Sequence, residues 1–265
     1  MSKIKLGVFG PGGRMGQDIV KQITHFDNIE LSALCEKEDH ASINERINDI
    51  KIDSDLKHLI KSSDVIIDFT NPKATLSLLE EINLNDKNTA LVTGTTGFSK
   101  EDEIKFSELC EGLKVLRSFN MSFGVNMLKK LVNISSKNLS SISDIEILEY
   151  HHNKKRDVPS GTALSLFDSI KNGASSEKNI VYRTEDNDRI RKRNEIGFAS
   201  IRGGDVVGEH SVFFFMDGER IELTHKASDR KIFSVGALNA SIWLYSKKPG
   251  LYSILDMIEW IYELL

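Results

Sequence analysis

The stretch Glu149-Tyr150-His151-His152-Asn153-Lys154-Lys155-Arg156-Asp157-Val158-Pro159-Ser160-Gly161-Thr162-Ala163 carries three devices for handling an anion. The imidazole of His151 or of its neighbour His152 can exchange protons near neutral pH. Lysine offers a point charge and a proton. A helix that starts Ser160-Gly161-Thr162 presents bare N–H groups and hydroxyls to a carboxylate. Each device also has an ordinary explanation. A histidine pair at a strand end is structural or solvated, Lys154-Lys155-Arg156 is a solvated basic loop, and Ser160 and Thr162 are helix caps. Their combination, in a chain that also carries a nucleotide-type glycine loop, points instead to a reductase acting on a small acid.

That loop is Gly10-Pro11-Gly12-Gly13-Arg14-Met15-Gly16. A dinucleotide's pyrophosphate needs close backbone approach, unpaired N–H groups and a positive helix end. Glycines permit the first and a helix N-terminus supplies the others. The spacing is a variant, because Met15 takes the third position of a strict G-x-G-x-x-G. Glu36 strengthens the reading: it ends the second expected strand, about twenty positions on, where a carboxylate can accept hydrogen bonds from the adenosine ribose. Glu36 favours NADH, whereas Lys37 could meet a 2′-phosphate and leaves NADPH open; Lys37 is otherwise a surface lysine. Asp68-Phe69-Thr70, Gly94-Thr95-Thr96-Gly97 and Ser118-Phe119-Asn120-Met121-Ser122 each follow an expected strand. In an open parallel sheet that edge gathers ligands.

Behind these residues the first half of the chain alternates strands and helices. Strands are expected at Ile4–Phe9, Ile29–Cys35, Val65–Phe69, Thr89–Thr93 and Leu113–Leu116, with a helix over Arg14–Ile23. Asn71-Pro72 offers a helix start, and Ser99 with Asp102 a capping box. This alternation means βαβ units and a parallel sheet covered on both faces. Past Phe123 the pattern changes. Val125, Leu128, Leu131, Val132 and Ser135 mark one helix face, and strands then dominate, with Ile145 and Ile147 alternating with Asp144 and Glu146. Asp217-Gly218 predicts a hairpin with a type I′ turn, and Arg202-Gly203-Gly204-Asp205 another turn, so the middle of the chain reads as a mostly antiparallel or mixed sheet. Helix returns at the end. Val235, Leu238, Ile242 and Tyr245 share a face, Pro249-Gly250 breaks the chain, and Leu251, Ile254, Leu255, Ile258, Ile261 and Tyr262 form a last amphipathic stretch. The polar segment from Thr184 to Asn194 is expected to be a solvated loop.

Composition narrows the function classes. The 265 residues, 40% hydrophobic, suit a folded chain of one large or two ordinary domains. With 35 Lys+Arg against 39 Asp+Glu the balance is weakly acidic, which argues against nonspecific nucleic-acid binding. The longest apolar runs, such as Val212–Met216, are strand-sized and too short to span a membrane. The first residues show no signal-peptide pattern, so the expected compartment is the cytoplasm. Cys35 and Cys110 read as buried hydrophobes, and no Cys/His spacing suggests a metal.

A specific resemblance ties these pieces together. The chain resembles the 4-hydroxy-tetrahydrodipicolinate (dihydrodipicolinate) reductase family in Gly12–Gly16, Asp68-Phe69-Thr70, Gly94–Gly97, Asn120 with Ser122, Gly124-Val125-Asn126, Glu149 with His151-His152 and Lys155, Pro159–Ala163, Arg202–His210 and His225-Lys226-Ala227. These elements run in family order over nearly the whole chain. The resemblance implies an α/β fold with an N-terminal Rossmann dinucleotide-binding domain at residues 1–122 and a C-terminal α+β mixed-sheet domain for substrate and oligomerisation at 123–231. The helices of 232–265 would return to the first domain. It implies a homotetramer, NADH or NADPH as coenzyme, no metal, and a small ring dicarboxylate as substrate, reduced at C4 in lysine and diaminopimelate biosynthesis. Carried over residue by residue, His151 is the acid/base and Lys155 the proton donor, while His152, Ser160, Gly161 and Thr162 hold the substrate. Gly10, Pro11, Gly12, Gly13, Arg14, Met15, Glu36, Lys37, Gly94, Thr95, Thr96, Ser118, Phe119, Asn120 and Met121 would line the coenzyme.

Three departures mark this chain. Pro11 stands where the family often has Ala, bulky Phe119 precedes Asn120 where small residues or Pro are usual, and Lys37 replaces an Arg. Two other readings remain open at this stage: a related dehydrogenase of amino acids or aldehydes, and a non-catalytic dinucleotide sensor. The sensor would not need the His, Lys and helix-start residues together.

Overall fold

The computed structural model describes residues 2–182 and 189–263, except for the side chains of 260–263. Its elements in chain order are β1 (Ile4–Phe9), α1 (Arg14–Gln22), β2 (Ile29–Cys35), β3 (Arg46–Ile47), β4 (Ile50–Asp53), α2 (Leu56–Lys61), β5 (Val65–Asp68), α3 (Pro72–Asn85), β6 (Ala90–Thr93), α4 (Lys100–Leu109) and β7 (Lys114–Arg117). Then follow α5 (Phe123–Leu139), β8 (Asp144–His151), α6 (Gly161–Gly173), β9 (Asn179–Tyr182), β10 (Glu195–Arg202), β11 (Gly208–Met216) and β12 (Glu219–Ala227), and finally α7 (Lys231–Tyr245), β13 (Gly250–Tyr252) and α8 (Ile254–Glu263). The chain divides into two compact units, one of residues 1–121 with 231–265 and one of 122–230. Among the described residues no helix is long and apolar enough to cross a membrane.

The first unit is a Rossmann-like sheet in the order β13-β7-β6-β5-β1-β2-β4-β3, parallel except for the β3–β4 hairpin. Its central strands are apolar runs because both faces are covered: β5 and β6 are buried at every position. The strand order reverses between β2 and β5 on either side of β1, which makes the topological switch point at which such sheets take ligands. Local signals start the helices as expected. Asn71 accepts from the Ala74 amide with Pro72 in the first turn, and Ser99 and Asp102 close a reciprocal capping box. Asp68, at the end of β5, is fully buried. It accepts from the Thr70 amide and from the hydroxyls of Thr70, Thr75, Thr93 and Thr95, and so joins the ends of β5 and β6 to the start of α3.

The second unit is a mixed sheet in the order β12-β11-β8-β10-β9, with β8, β9 and β10 parallel and β11 antiparallel to both its neighbours. Alternation along β8 buries Ile145, Ile147, Glu149 and His151 on one face. There Ile145 and Ile147 join Ile196, Phe198, Val212 and Phe214 in a core closed by Leu128 and Val132 of α5 and by Ala163, Leu166 and Ile170 of α6.

Several expectations need correction. The turn at Asp217-Gly218 has positive φ only at Gly218 (80°), so it is not type I′, which needs positive φ at both central residues. On α5 the buried set is Val125, Asn126, Leu128, Val132 and Ser136; Leu131 faces solvent, because the helix packs through residues one position further round. On α7 the small residues Gly236, Ala237, Ala240 and Ser241 join Leu238, Trp243 and Leu244 inside, while Tyr245 is exposed. This helix packs against α1 and the sheet through nearly its whole circumference, so apolar periodicity does not mark its face. Leu251 belongs to β13, paired in parallel with β7, rather than to the last helix. Of that helix, Ile254 and Ile258 are buried, and the side chains of Ile261 and Tyr262 lie outside the described residues. Of the polar segment, 184–188 also lies outside them. The remainder is the exposed loop expected, apart from half-buried Arg191; it is tied down where Arg191 pairs with Asp144 and Glu146 and Arg189 with Glu195.

Candidate active site

In the first unit the glycine loop joins β1 to α1 at the carboxyl edge of the sheet. Gly16 fits only as glycine, because a Cβ there would lie 2.2 Å from the Gly10 carbonyl oxygen. Glycine at the N-cap, Gly13, gives α1 no side-chain cap, so its first N–H groups are left for a ligand. Glu36 follows β2 and folds over the loop: Oε2 accepts from the Gly12 amide at 3.1 Å and Oε1 from the Lys37 amide at 3.0 Å. Pro11 is buried and Arg14 exposed at this loop, with Met15 between. The loop therefore fits a pyrophosphate, with the carboxylate beside it for a ribose. Lys37 pairs with Asp39 at 3.2 Å on the surface. Sequence reading missed His40, whose ring lies where a Cβ on Gly12 would stand.

Other expected coenzyme residues turn out to be partly occupied. The Thr95 hydroxyl goes to Asp68 and its amide donates to Thr93 Oγ1, which leaves exposed Thr96 as the outward member of the pair. Phe69 packs its ring against Gly94. Ser118 donates its hydroxyl to the Asn120 carbonyl, and Met121 is buried. Phe119 is 65% exposed, with the Arg117 guanidinium 4.8 Å from its ring centre. That same guanidinium stacks on Phe98 and Phe106 and pairs twice with Glu103, which fixes the segment from which Phe119 projects.

In the second unit the register builds a polar row. Glu149 of β8 lies opposite Ser200 of β10 and His210 of β11, and His210 lies opposite His225 of β12. One step further along, His151 lies opposite Arg202. The inner face of the sheet thus changes from hydrocarbon to polar groups at the end of β8. Glu149 Oε1 accepts from the Ser160 amide (3.1 Å), the Ser200 hydroxyl (2.8 Å) and Arg202 Nη2 (2.9 Å). Burial pushes the Glu149 carboxyl up, but these donors overcome it and hold it down at about 2. Glu149 Oε2 stands 2.7 Å from His151 Nδ1. This is an ion-pair distance, and neither atom has a hydrogen bond of normal geometry.

His151 is buried, and its ring meets that of His210 edge to face at 5.1 Å. Burial, with Lys155 and Arg202 nearby, pushes the His151 imidazole below its ordinary value, although Glu149 pulls the other way. Burial lowers His210 further, to about 4. Lys155 is held at 2.9 Å by Asp157 on the loop that leads to α6. Ser160 caps α6 by accepting from the Ala163 amide, and its hydroxyl also lies 3.1 Å from His210 Nε2. Ser160 thus shapes the helix start; Gly161 is exposed, and Thr162 and His152 are half-buried. Gly208 keeps a side chain away from the catalytic candidate, since a Cβ there would lie 3.0 Å from His151 Nε2. Arg202 and His210 acquire these contacts through strand pairing alone, a relationship that no local spacing reveals.

Glu149, His151 and His210 also form a buried trio of potential metal ligands within 4.8 Å of one another. Arg202 bound to Glu149 and Lys155 close to His151 already supply positive charge there, which opposes a dication.

A Rossmann-like unit with an uncapped glycine-loop helix, together with a unit carrying a buried carboxylate–imidazole pair, has the parts of a nicotinamide-dependent oxidoreductase. The family model described as "Dihydrodipicolinate reductase, N-terminus" matches residues 4–121, and "Dihydrodipicolinate reductase, C-terminus" matches 124–258. The chain belongs to the dihydrodipicolinate reductase family. It is 38% identical to the 4-hydroxy-tetrahydrodipicolinate reductase of Geotalea daltonii, over 96% of this chain and 98% of that one. It is 40% identical to the one from Pelagibacter ubique, over 98% and 99%. Its fold matches that of dipicolinate-bound dihydrodipicolinate reductase from Paenisporosarcina sp. TG-14 with a TM-score of 0.78, at 24% identity over 95% of this chain and 97% of that one.

The lowered His210 value gives a testable pH dependence. A histidine kept neutral by burial binds its proton less readily in the folded than in the unfolded chain. Stability is therefore full above the ordinary value of about 6.5 and falls as pH drops toward about 4. Denaturant unfolding between pH 7 and 4 should show a loss of about 3 kcal/mol from this group. His210→Gln, which retains a partner for Ser160, should have a shallower slope; an unchanged slope would contradict the assignment.

Proposed function

We propose that this chain reduces 4-hydroxy-tetrahydrodipicolinate to tetrahydrodipicolinate with NADH or NADPH, with the 1–121 unit as the coenzyme domain and the 122–230 unit as the substrate domain. The observation that carries this reading is the buried Glu149–His151 pair next to Lys155 and the open start of α6. The bound coenzyme supplies the hydride. The substrate of this family's reaction is a ring dicarboxylate that loses its hydroxyl as water to give a conjugated C=N, and reduction of that dihydro ring adds one hydride at C4 and one proton. The protein must therefore neutralise two carboxylates and deliver a proton where negative charge develops.

The N–H groups at Gly161 and Thr162, with the Thr162 hydroxyl, suit one carboxylate, because a helix N-terminus carries about half a positive charge. Lys155 exchanges its Asp157 partner for the substrate and gives the proton, and His151 is the acid/base of the site. His152 and Ser160 complete the substrate contacts. Glu36 and the N-terminus of α1 would hold the ribose and pyrophosphate, with Lys37 at the adenosine end and Thr96 and Phe119–Asn120 towards the nicotinamide.

The chain is further proposed to assemble as a homotetramer through the second sheet. Both helices of that unit, α5 and α6, pack on the inner core, while Leu148, Tyr150, Ile201, Phe213 and Phe215 alternate with the inward residues and so occupy the other face. Ile201 is 46% and Phe215 39% exposed there. Such a surface calls for a partner.

Two measurements test these readings. Steady-state turnover with freshly generated hydroxy-tetrahydrodipicolinate should fall about 10²–10⁴-fold in His151→Gln or Lys155→Ala and nearly vanish in the double variant, with coenzyme binding retained. Full turnover in the double variant would reject the roles, and equal or better turnover of aspartate semialdehyde by the wild type would reject the substrate. Light scattering should give four times the 29.8 kDa chain mass; a monomer at micromolar concentration would reject the tetramer.

A further inference from the structure

His151 has two ring nitrogens, and the reaction needs to know which one carries the proton. Glu149 is fully buried and its Oε1 is already taken by three donors. Its other oxygen, Oε2, is buried and lies 2.7 Å from the equally buried His151 Nδ1, and neither atom has another hydrogen-bond partner among the described residues. A carboxylate oxygen and an unprotonated ring nitrogen both offer lone pairs. At this distance, away from water, they would repel, so the contact requires a proton on Nδ1.

The space on the far side of the ring agrees. Nε2 is the nitrogen beside which the chain places Gly208, where any Cβ would come within 3.0 Å. Arg202 binds the Glu149 carboxylate and the Asp157 carbonyl with the same nitrogen, Nη2, at 2.9 and 2.8 Å. The Gly203 amide donates to the His151 carbonyl at 2.9 Å, so the end of β10 holds the backbone of the same histidine.

We propose that Glu149 is a positioning residue that fixes the proton of neutral His151 on Nδ1 and leaves Nε2 to the reacting group, with Arg202 keeping Glu149 ionised for that task. This rests on the reading of His151 as the acid/base. The groups that face the ring are Glu149 on its own strand, Arg202 from β10, Lys155 from the following loop and His210 from β11, with His225 of β12 behind His210. Of these Glu149 is the one acceptor for an Nδ1 proton. His210 is turned to Ser160 through Nε2, and Arg202 and Lys155 are donors.

The test is long-range ¹H–¹⁵N NMR of the full-length protein labelled at histidine, at about pH 8 where imidazole is neutral. Wild-type His151 should show the Nδ1–H form. Glu149→Gln should shift it towards Nε2–H and lower kcat about 10²–10⁴-fold with little change in coenzyme KM. Arg202→Met should lower kcat in the same direction, and Arg202→Lys should recover part of the loss. A wild-type Nε2–H signal overturns the proposal, as does an unchanged tautomer in Glu149→Gln. If Glu149→Gln does not fold, the wild-type spectrum and the Arg202 pair decide. Nδ1–H in the wild type with full turnover in His151→Gln would defeat the acid/base reading while leaving the proton placement standing. Loss of turnover in His151→Gln with a wild-type Nε2–H signal would defeat the placement alone.

Discussion

A carboxylate in a dry interior must be matched by donors or lose its charge, and the second unit is organised around meeting that demand for Glu149. Its three partners come from two elements. Ser200 and Arg202 belong to β10, and the Ser160 amide belongs to the start of α6. One ionised group therefore joins the central strand β8, its parallel neighbour and the helix that covers the core. Removing a single partner would leave a buried charge or a buried donor unsatisfied, which is costly, so the arrangement is held as a set. The other oxygen of the same carboxylate faces His151, which couples the rigidity of the fold to the position of that imidazole.

The first unit meets a similar constraint with different chemistry. Asp68 is as deeply buried as Glu149, but hydroxyls surround it rather than a guanidinium. Four threonines converge on it from the ends of β5 and β6 and from the start of α3. The loops at the carboxyl edge of the sheet are in this way tied to one point. The Thr95 side chain serves this scaffold, so of Gly94–Thr96 it is the backbone and Thr96 that would be left to meet a coenzyme. Both carboxylates lie at strand ends, where the apolar face of a sheet gives way to a ligand edge.

Much of this was legible in the chain, and the reasons are physical. Strands buried on both faces are short apolar runs, so β1, β2, β5 and β6 can be read almost to the residue. Asn71-Pro72 and Ser99 with Asp102 signal helix starts through the hydrogen bonds they form. The short β3–β4 hairpin and α2 escaped because they are small and largely polar on the outside. The face of α7 was misjudged because small residues bring it close to the sheet. At the site, His151, Lys155 and the start of α6 are close in sequence and could be grouped by eye. Arg202, His210 and His225 join them only through strand register, which a single sequence does not display. The family resemblance located their motifs but not the contacts they make.

All of this requires Glu149 to remain an anion within the folded protein. Carbon-13 NMR of glutamate side-chain carboxyls, followed through an acid titration, reads this directly. The Glu149 resonance should stay in its ionised position down to pH 4 and turn over only near its lowered value of about 2, or with acid unfolding if that comes first. A midpoint at or above the ordinary 4.5 in the folded protein would contradict it, because the donors around the carboxylate would then not be holding a charge.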